Sequence, residues 1–175
     1  MLQAAAERGA RAHRDALVGQ RRSRERPAAA DLAHHAVVRH GYVQPHWPAP
    51  WGRDAGAVEQ LVIAEEFRRA GVRPPVLMMG DWVLPTLIQY GDDAQKERFV
   101  LPTLEGDIVW CQLFSEPGAG SDLAAVATKA SRVDGGWLLN GQKVWNSLAA
   151  QADWAICIAR TDPTVPKHEG ITYFL

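Results

Sequence analysis

Apolar positions recur at helical spacing through the first half of the chain and alternate through the second. In residues 56–70, Val58, Leu61, Val62 and Phe67 share one face of a helical period, while Glu59, Glu66, Arg68 and Arg69 take the other. This predicts an amphipathic helix, and Gly71 is placed to stop it. Residues 76–90 carry Val76, Leu77, Met78, Trp82, Val83, Leu84, Leu87 and Ile88. That is too many apolar residues for one stripe, so the segment predicts a mostly buried central helix. Asp92, with Gln95 three residues on, predicts a capping box opening a short helix to Leu104. Residues 28–40, with Leu32, Ala36 and Val37 on one face, predict a further helix. In the intervening loop Pro45, Pro48 and Pro50 block regular structure, and Trp47 and Trp51 are expected to pack it onto the body. Ahead of all these, residues 2–26 are rich in Ala and Arg, good helix formers with only a thin apolar stripe. They read as a solvated helix followed by a charged linker.

After Gly106-Asp107 the pattern changes to that of strands. Residues 108–111, 128–133, 137–139, 153–160 and 171–175 read as strands, with Asp134-Gly135-Gly136 as a hairpin turn. Residues 122–126 are expected to add one helical turn. The fold class predicted is α+β, with an all-helical domain over residues 1–106 followed by an incomplete antiparallel β-barrel-like domain over 107–175. The last strand has no successor to pair with, so an edge is expected to be exposed.

Composition narrows the function classes. A formal net charge of −1 on 175 residues gives no electrostatic case for nucleic acid or an anionic membrane as partner. No run reaches the ~18 apolar residues of a membrane span. The N-terminus has no apolar segment of the secretory kind, so a cytoplasmic setting is expected. Cys111 and Cys157 sit in apolar runs and read as buried, reduced thiols. His34, His35 and His40 lack acidic or Cys companions at ligand spacing, and no metal site is expected there.

Chemistry concentrates in two runs. Residues 110–122, WCQLFSEPGAGSD, lead from apolar residues into a Gly-rich turn that can bring bare backbone N–H groups to a phosphate. Residues 140–147, NGQKVWNS, offer an aromatic face at Trp145 and a hydroxyl at Ser147. A planar ring joined to a pyrophosphate, as in a flavin dinucleotide, could use all of these. A single Gly-rich turn is more often merely structural. Glu116 and Asp122 look catalytic on paper, but the reading favoured for both is that they hold the loop by hydrogen bonds.

Together the two runs resemble the flavin-binding signatures of the acyl-CoA dehydrogenase family: Ser115-Glu116-Pro117, then Ala119-Gly120-Ser121-Asp122, and Asn140-Gly141, Lys143, Trp145 and Ser147. The likeness extends through PHWPAPWG, AEEFRRAG and TDPTVPKHEGITYFL. It implies FAD as cofactor, with Gln112, Phe114 and Ser115 at the ring, Gly120 and Ser121 at the pyrophosphate, Trp145 over one flavin face and Ser147 at the N5/O4 edge. Ser121 would also lie close to the thioester of an acyl-CoA substrate. The implied reaction is α,β-dehydrogenation, with a place in fatty-acid β-oxidation and lipid metabolism. An electron-transfer flavoprotein would be the acceptor, and the full-length form a homo- or hetero-oligomer. Family members carry a third, C-terminal four-helix domain that supplies the glutamate base. This chain stops inside the middle domain, so no catalytic residue is named and the chain alone is expected to be inactive. A related flavin monooxygenase or nitroalkane oxidase-like enzyme, or a non-catalytic binding half that needs a partner chain, would use the same scaffold.

Overall fold

The computed structural model describes residues 28–175; the Ala- and Arg-rich run lies outside them. Among the described residues four helices come first: α1 (Ala28–Arg39), α2 (Ala57–Ala70), α3 (Gly80–Tyr90) and α4 (Asp93–Leu104). Five strands follow: β1 (Trp110–Leu113), β2 (Lys129–Val133), β3 (Gly136–Asn140), β4 (Trp154–Arg160) and β5 (Ile171–Phe174). A short 3-10 turn, Leu123–Ala125, lies between β1 and β2.

The expected capping box opens α4. Asp92 Oδ1 accepts from the Gln95 N–H at 2.7 Å, and Gln95 Oε1 accepts from the Asp92 N–H at 3.0 Å. Helix α3 is shorter than its apolar content predicts. Met78, at φ 54°, turns the chain out of helical geometry just ahead of it. Its first residue, Gly80, packs tightly on α4: a Cβ there would come within 2.9 Å of Thr103 Cγ2. Helix α2 has the predicted length and stops at Gly71, but none of its residues is buried. Its predicted core face is open, with Val58 76% and Leu61 71% exposed.

The core joins helices to sheet. Val83, Leu84 and Leu87 of α3, Phe99, Val100 and Leu104 of α4, Trp110 of β1 and Ile156 of β4 form one cluster with Trp47 of the Pro-rich loop. Trp110 is fully buried, and its Nε1 donates to Thr103 Oγ1 at 2.9 Å. The Phe99 ring meets Trp110 and Trp154 edge-on, at 5.3 and 4.9 Å between centroids.

Strand β4 is the axis of the sheet. It pairs with β1 in parallel over Trp110↔Trp154 to Leu113↔Cys157, and with β5 antiparallel over Cys157↔Phe174 to Arg160↔Ile171. Strand β2 meets it in parallel at Lys129↔Arg160 and forms an antiparallel hairpin with β3. The α+β class holds, and the sheet is open. The all-antiparallel expectation is corrected: the sheet is mixed. About forty residues separate β1 from β4, enough for a crossover that lays them parallel. Cys111 and Cys157 are buried free thiols on these two strands, and burial pushes both thiols up.

Candidate functional site

The two motif runs meet at the end of β1. Past Leu113 the chain leaves the sheet, and the Ser115 carbonyl accepts from the Val144 N–H at 2.9 Å. With its amide oriented by two facing carbonyls, Asn146 Nδ2 donates to Gln112 O and Val144 O, each at 3.1 Å. These contacts set Gln112 and Ser115 beside the 144–147 turn. Trp145 sits in that turn at φ 55°, a conformation that side chains other than glycine adopt at a cost of roughly 1–3 kcal/mol. Its indole is 80% exposed. The local fold thus spends backbone strain to stand a large aromatic face in the open. Ser147 follows on the same turn and is exposed, its N–H donating to the Trp145 carbonyl at 3.1 Å.

Below the turn lies a buried ion pair. Lys143 Nζ donates to the Phe114 carbonyl at 3.0 Å, to Glu116 Oε1 at 2.8 Å and to the Ile158 carbonyl at 2.7 Å. The two side chains are 8% and 6% exposed. Glu116 also accepts from the N–H groups of Ala127 at 2.6 Å and Thr128 at 3.0 Å. Burial pushes the Glu116 carboxyl up, but the hydrogen bonds from Lys143, Thr128 and Ala127 outweigh it and hold the carboxyl down at about 2. This carboxylate ties the loop to the start of β2, as its sequence reading expects.

The Gly-rich turn is closed by a reciprocal pair between Glu116 and Ala119, N–H to carbonyl at 2.8 and 3.1 Å. Gly120 and Ser121 emerge from it exposed, and a Cβ placed on Gly118 or Gly120 would find nothing within 4 Å. Among the described residues no hydrogen bond links Gly120 or Ser121 to the Trp145 turn. Asp122 pairs with Lys167 at 2.7 Å, a bond that holds its carboxyl below the ordinary carboxylate range. Arg160 fastens the following 3-10 turn through the carbonyls of Ala124 at 2.6 Å and Val126 at 3.1 Å. An open depression of about 450 Å³ beside Arg160, Lys129 and Lys167 is lined by none of the predicted site residues.

The structure therefore brings together Gln112, Phe114, Ser115, Trp145 and Ser147, and leaves Gly120 and Ser121 on the adjoining exposed turn. Sequence reasoning assigned no role to Lys143 or Asn146. Both stand inside the second motif, but a lone lysine in a polar run gives no sign that its partner is Glu116, 27 residues away.

Comparison with known proteins accords with this arrangement. The profile of the acyl-CoA dehydrogenase N-terminal domain matches residues 1–107, and that of the acyl-CoA dehydrogenase middle domain matches residues 111–175. The chain is 58% identical over 140 residues to acyl-CoA dehydrogenase FadE34 of Mycobacterium tuberculosis, covering 80% of this chain and 20% of that protein. It is 41% identical to acyl-CoA dehydrogenase IpdE1 of the same organism, covering 74% of this chain and 34% of that one. Among solved structures, the ChsE4–ChsE5 complex from Mycobacterium tuberculosis superposes with a TM-score of 0.64 at 36% identity, over 82% of this chain and 37% of that one. The Tcur3481–Tcur3483 steroid ACAD superposes with a TM-score of 0.65 at 34% identity, over 83% and 37%. The chain spans from a fifth to just over a third of the length of these relatives. With both family profiles matched end to end along it, the chain belongs to the acyl-CoA dehydrogenase family.

Proposed function

We propose that this chain forms the flavin-facing part of an FAD-dependent acyl-CoA dehydrogenase, which desaturates an acyl-CoA thioester between its α and β carbons. The observation that carries this reading is the junction of the two runs through Val144 and Ser115, with the Trp145 indole standing open at its edge. The residues present fit the cofactor. An exposed indole offers a stacking face for a planar ring. The open surface at Gly118 and Gly120 admits a phosphate to the backbone. Bound FAD would supply the acceptor for the β-hydride. Ser115 and Ser147 would donate hydrogen bonds to the ring system as it gains negative charge. Phe114 and Gln112 would border the ring, Gly120 and Ser121 would hold the pyrophosphate, and Ser121 would lie near the thioester.

Neither carboxylate of the first run is free to take the α-proton. Glu116 is spent on Lys143 and two backbone N–H groups, and Asp122 on Lys167. The base in this reading is a carboxylate contributed from outside residues 1–175. A homo- or hetero-oligomeric enzyme, an electron-transfer flavoprotein as acceptor, a cytoplasmic setting and a place in acyl-chain β-oxidation complete the proposal. Similarity to a steroid ACAD at 34% identity supports a steroid-derived acyl group as the narrower substrate class.

The test is flavin affinity in the Trp145→Ala variant. An 80% exposed side chain contributes little to folding, so the melting temperature should stay within about 1 °C. FAD binding, followed by flavin fluorescence, should weaken about fivefold or more, as expected for loss of an aromatic stack worth roughly 1 kcal/mol or more. Unchanged affinity would remove this turn from the flavin site. Acyl-CoA oxidation by the 175-residue chain alone would overturn the placement of the base.

A further inference from the structure

We infer that the buried Lys143–Glu116 pair is a positioning device: it locks the two flavin-facing runs into one unit and so sets Trp145 and Ser115 for the cofactor. The inference rests on the reading above and adds residues which that reading does not use.

Lys143 is two residues before Trp145, and its ammonium joins its own segment to two others. One hydrogen bond goes to the Phe114 carbonyl, next to Ser115; one to Glu116, next on the other side; one to Ile158 in β4. Ser115 is thus gripped from both neighbours while its own carbonyl holds Val144. The 144–147 turn has no strand ladder of its own and carries Trp145 at positive φ. Such a conformation persists only where surrounding contacts over-determine it. The contacts at hand are the Lys143 ammonium, the Val144–Ser115 bond and the Asn146 amide. Of these, Lys143 reaches β4, the axis of the sheet, while Asn146 reaches Gln112 in β1; the Lys143 ammonium is the tie that is also buried and charged. A second constraint fixes the entry to this segment: a Cβ on Gly141 would run into Thr128, whose N–H is itself held by Glu116. The pair therefore stands under both sides of the junction, and neither member has an exposed face from which to act on a substrate.

The experiment uses two variants of the full chain. Lys143→Met alone leaves Glu116 buried without its ammonium and can fail to fold. The double variant Lys143→Met/Glu116→Gln removes the charge on both sides and keeps an acceptor for the Ala127 and Thr128 N–H groups. Two quantities are read in each: amide exchange at Val144 without cofactor, and FAD affinity. In the double variant, Val144 exchange should speed up at least tenfold and FAD affinity should fall at least tenfold, while exchange in β4 changes less than threefold. If wild type binds FAD and the double variant binds it equally well, the inference is overturned and the flavin reading stands. If wild type binds no FAD, the flavin reading fails, and Val144 exchange alone decides the inference: unchanged exchange overturns it and faster exchange supports it. Loss of β4 protection together with Val144 overturns it as well, because the pair would then be holding the fold and not the turn.

Discussion

Glu116 shows how a residue that looks catalytic in sequence is recognised as structural by its partners. Its carboxyl is held at about 2, below the ordinary value near 4.5, so the charged form is the one the fold binds. A depressed carboxyl contributes stability that is complete above its unfolded-state value and is lost as pH falls through its folded-state value. Stability of the wild-type chain should therefore decline between about pH 4.5 and 2. Glu116→Gln leaves Lys143 buried without its counter-charge and should cost about 3–5 kcal/mol at neutral pH. The two urea midpoints should converge as pH drops through that window; a constant gap down to pH 2 would mean that the carboxylate is not what the fold holds. At this scale the resemblance of the two runs to the flavin-binding signatures marked Ser115, Trp145 and Ser147 as candidates, and the loop-holding role favoured for Glu116 is the one its hydrogen bonds display. Lys143 was not legible, since an ammonium is recognised as buried only when the carbonyls of Phe114 and Ile158 and the Glu116 carboxylate close around it.

Local rules decided the ends of the elements better than the faces they bury. The capping box at Asp92 and Gln95 is written in four residues and appears in the structure bond for bond. Asp92→Ala should destabilise the chain by about 1 kcal/mol, and Gln95→Ala by less, since each removes one side of a reciprocal pair. The double variant should cost less than the sum of the two in a thermal or urea cycle; strict additivity would show that the two bonds act independently. The hairpin turn and the stop at Gly71 were equally local, and both follow from glycines at positive φ. By contrast, α2 presents its apolar face to solvent among the described residues although its sequence shows a helical period. Periodicity reports that a helix has a face to bury, and says nothing about whether the covering element lies within the same hundred residues. The start of α3 was missed for a different reason: Met78 takes a positive φ just ahead of the close approach of Gly80 to Thr103, and composition displays neither.

Across the whole molecule the decisive feature is the aromatic seam between helices and sheet. The sequence divides at Gly106-Asp107, where the pattern changes from helical to alternating, and that change suggests two bodies. The core does not divide there. Phe99 of α4, 4% exposed, lies edge-on against Trp110 of β1 and Trp154 of β4, and Arg98 from the same helix covers the Trp154 ring at 4.7 Å. Trp110 in turn donates its indole N–H to the Thr103 hydroxyl on α4. A helical part that folded alone would leave Phe99, Thr103 and Leu104 uncovered, and a sheet that folded alone would expose Trp110 and Ile156. Each half therefore leaves part of its apolar core uncovered without the other. The chain should therefore unfold in one transition, with helix content by far-UV circular dichroism and tryptophan fluorescence giving the same urea midpoint. Phe99→Ala should remove about 3–5 kcal/mol and move both midpoints together. If only the fluorescence midpoint moved, or if the wild-type transitions separated, residues 1–106 and 107–175 would be independent units. The aromatic seam would then be a docking surface between them and not a shared core.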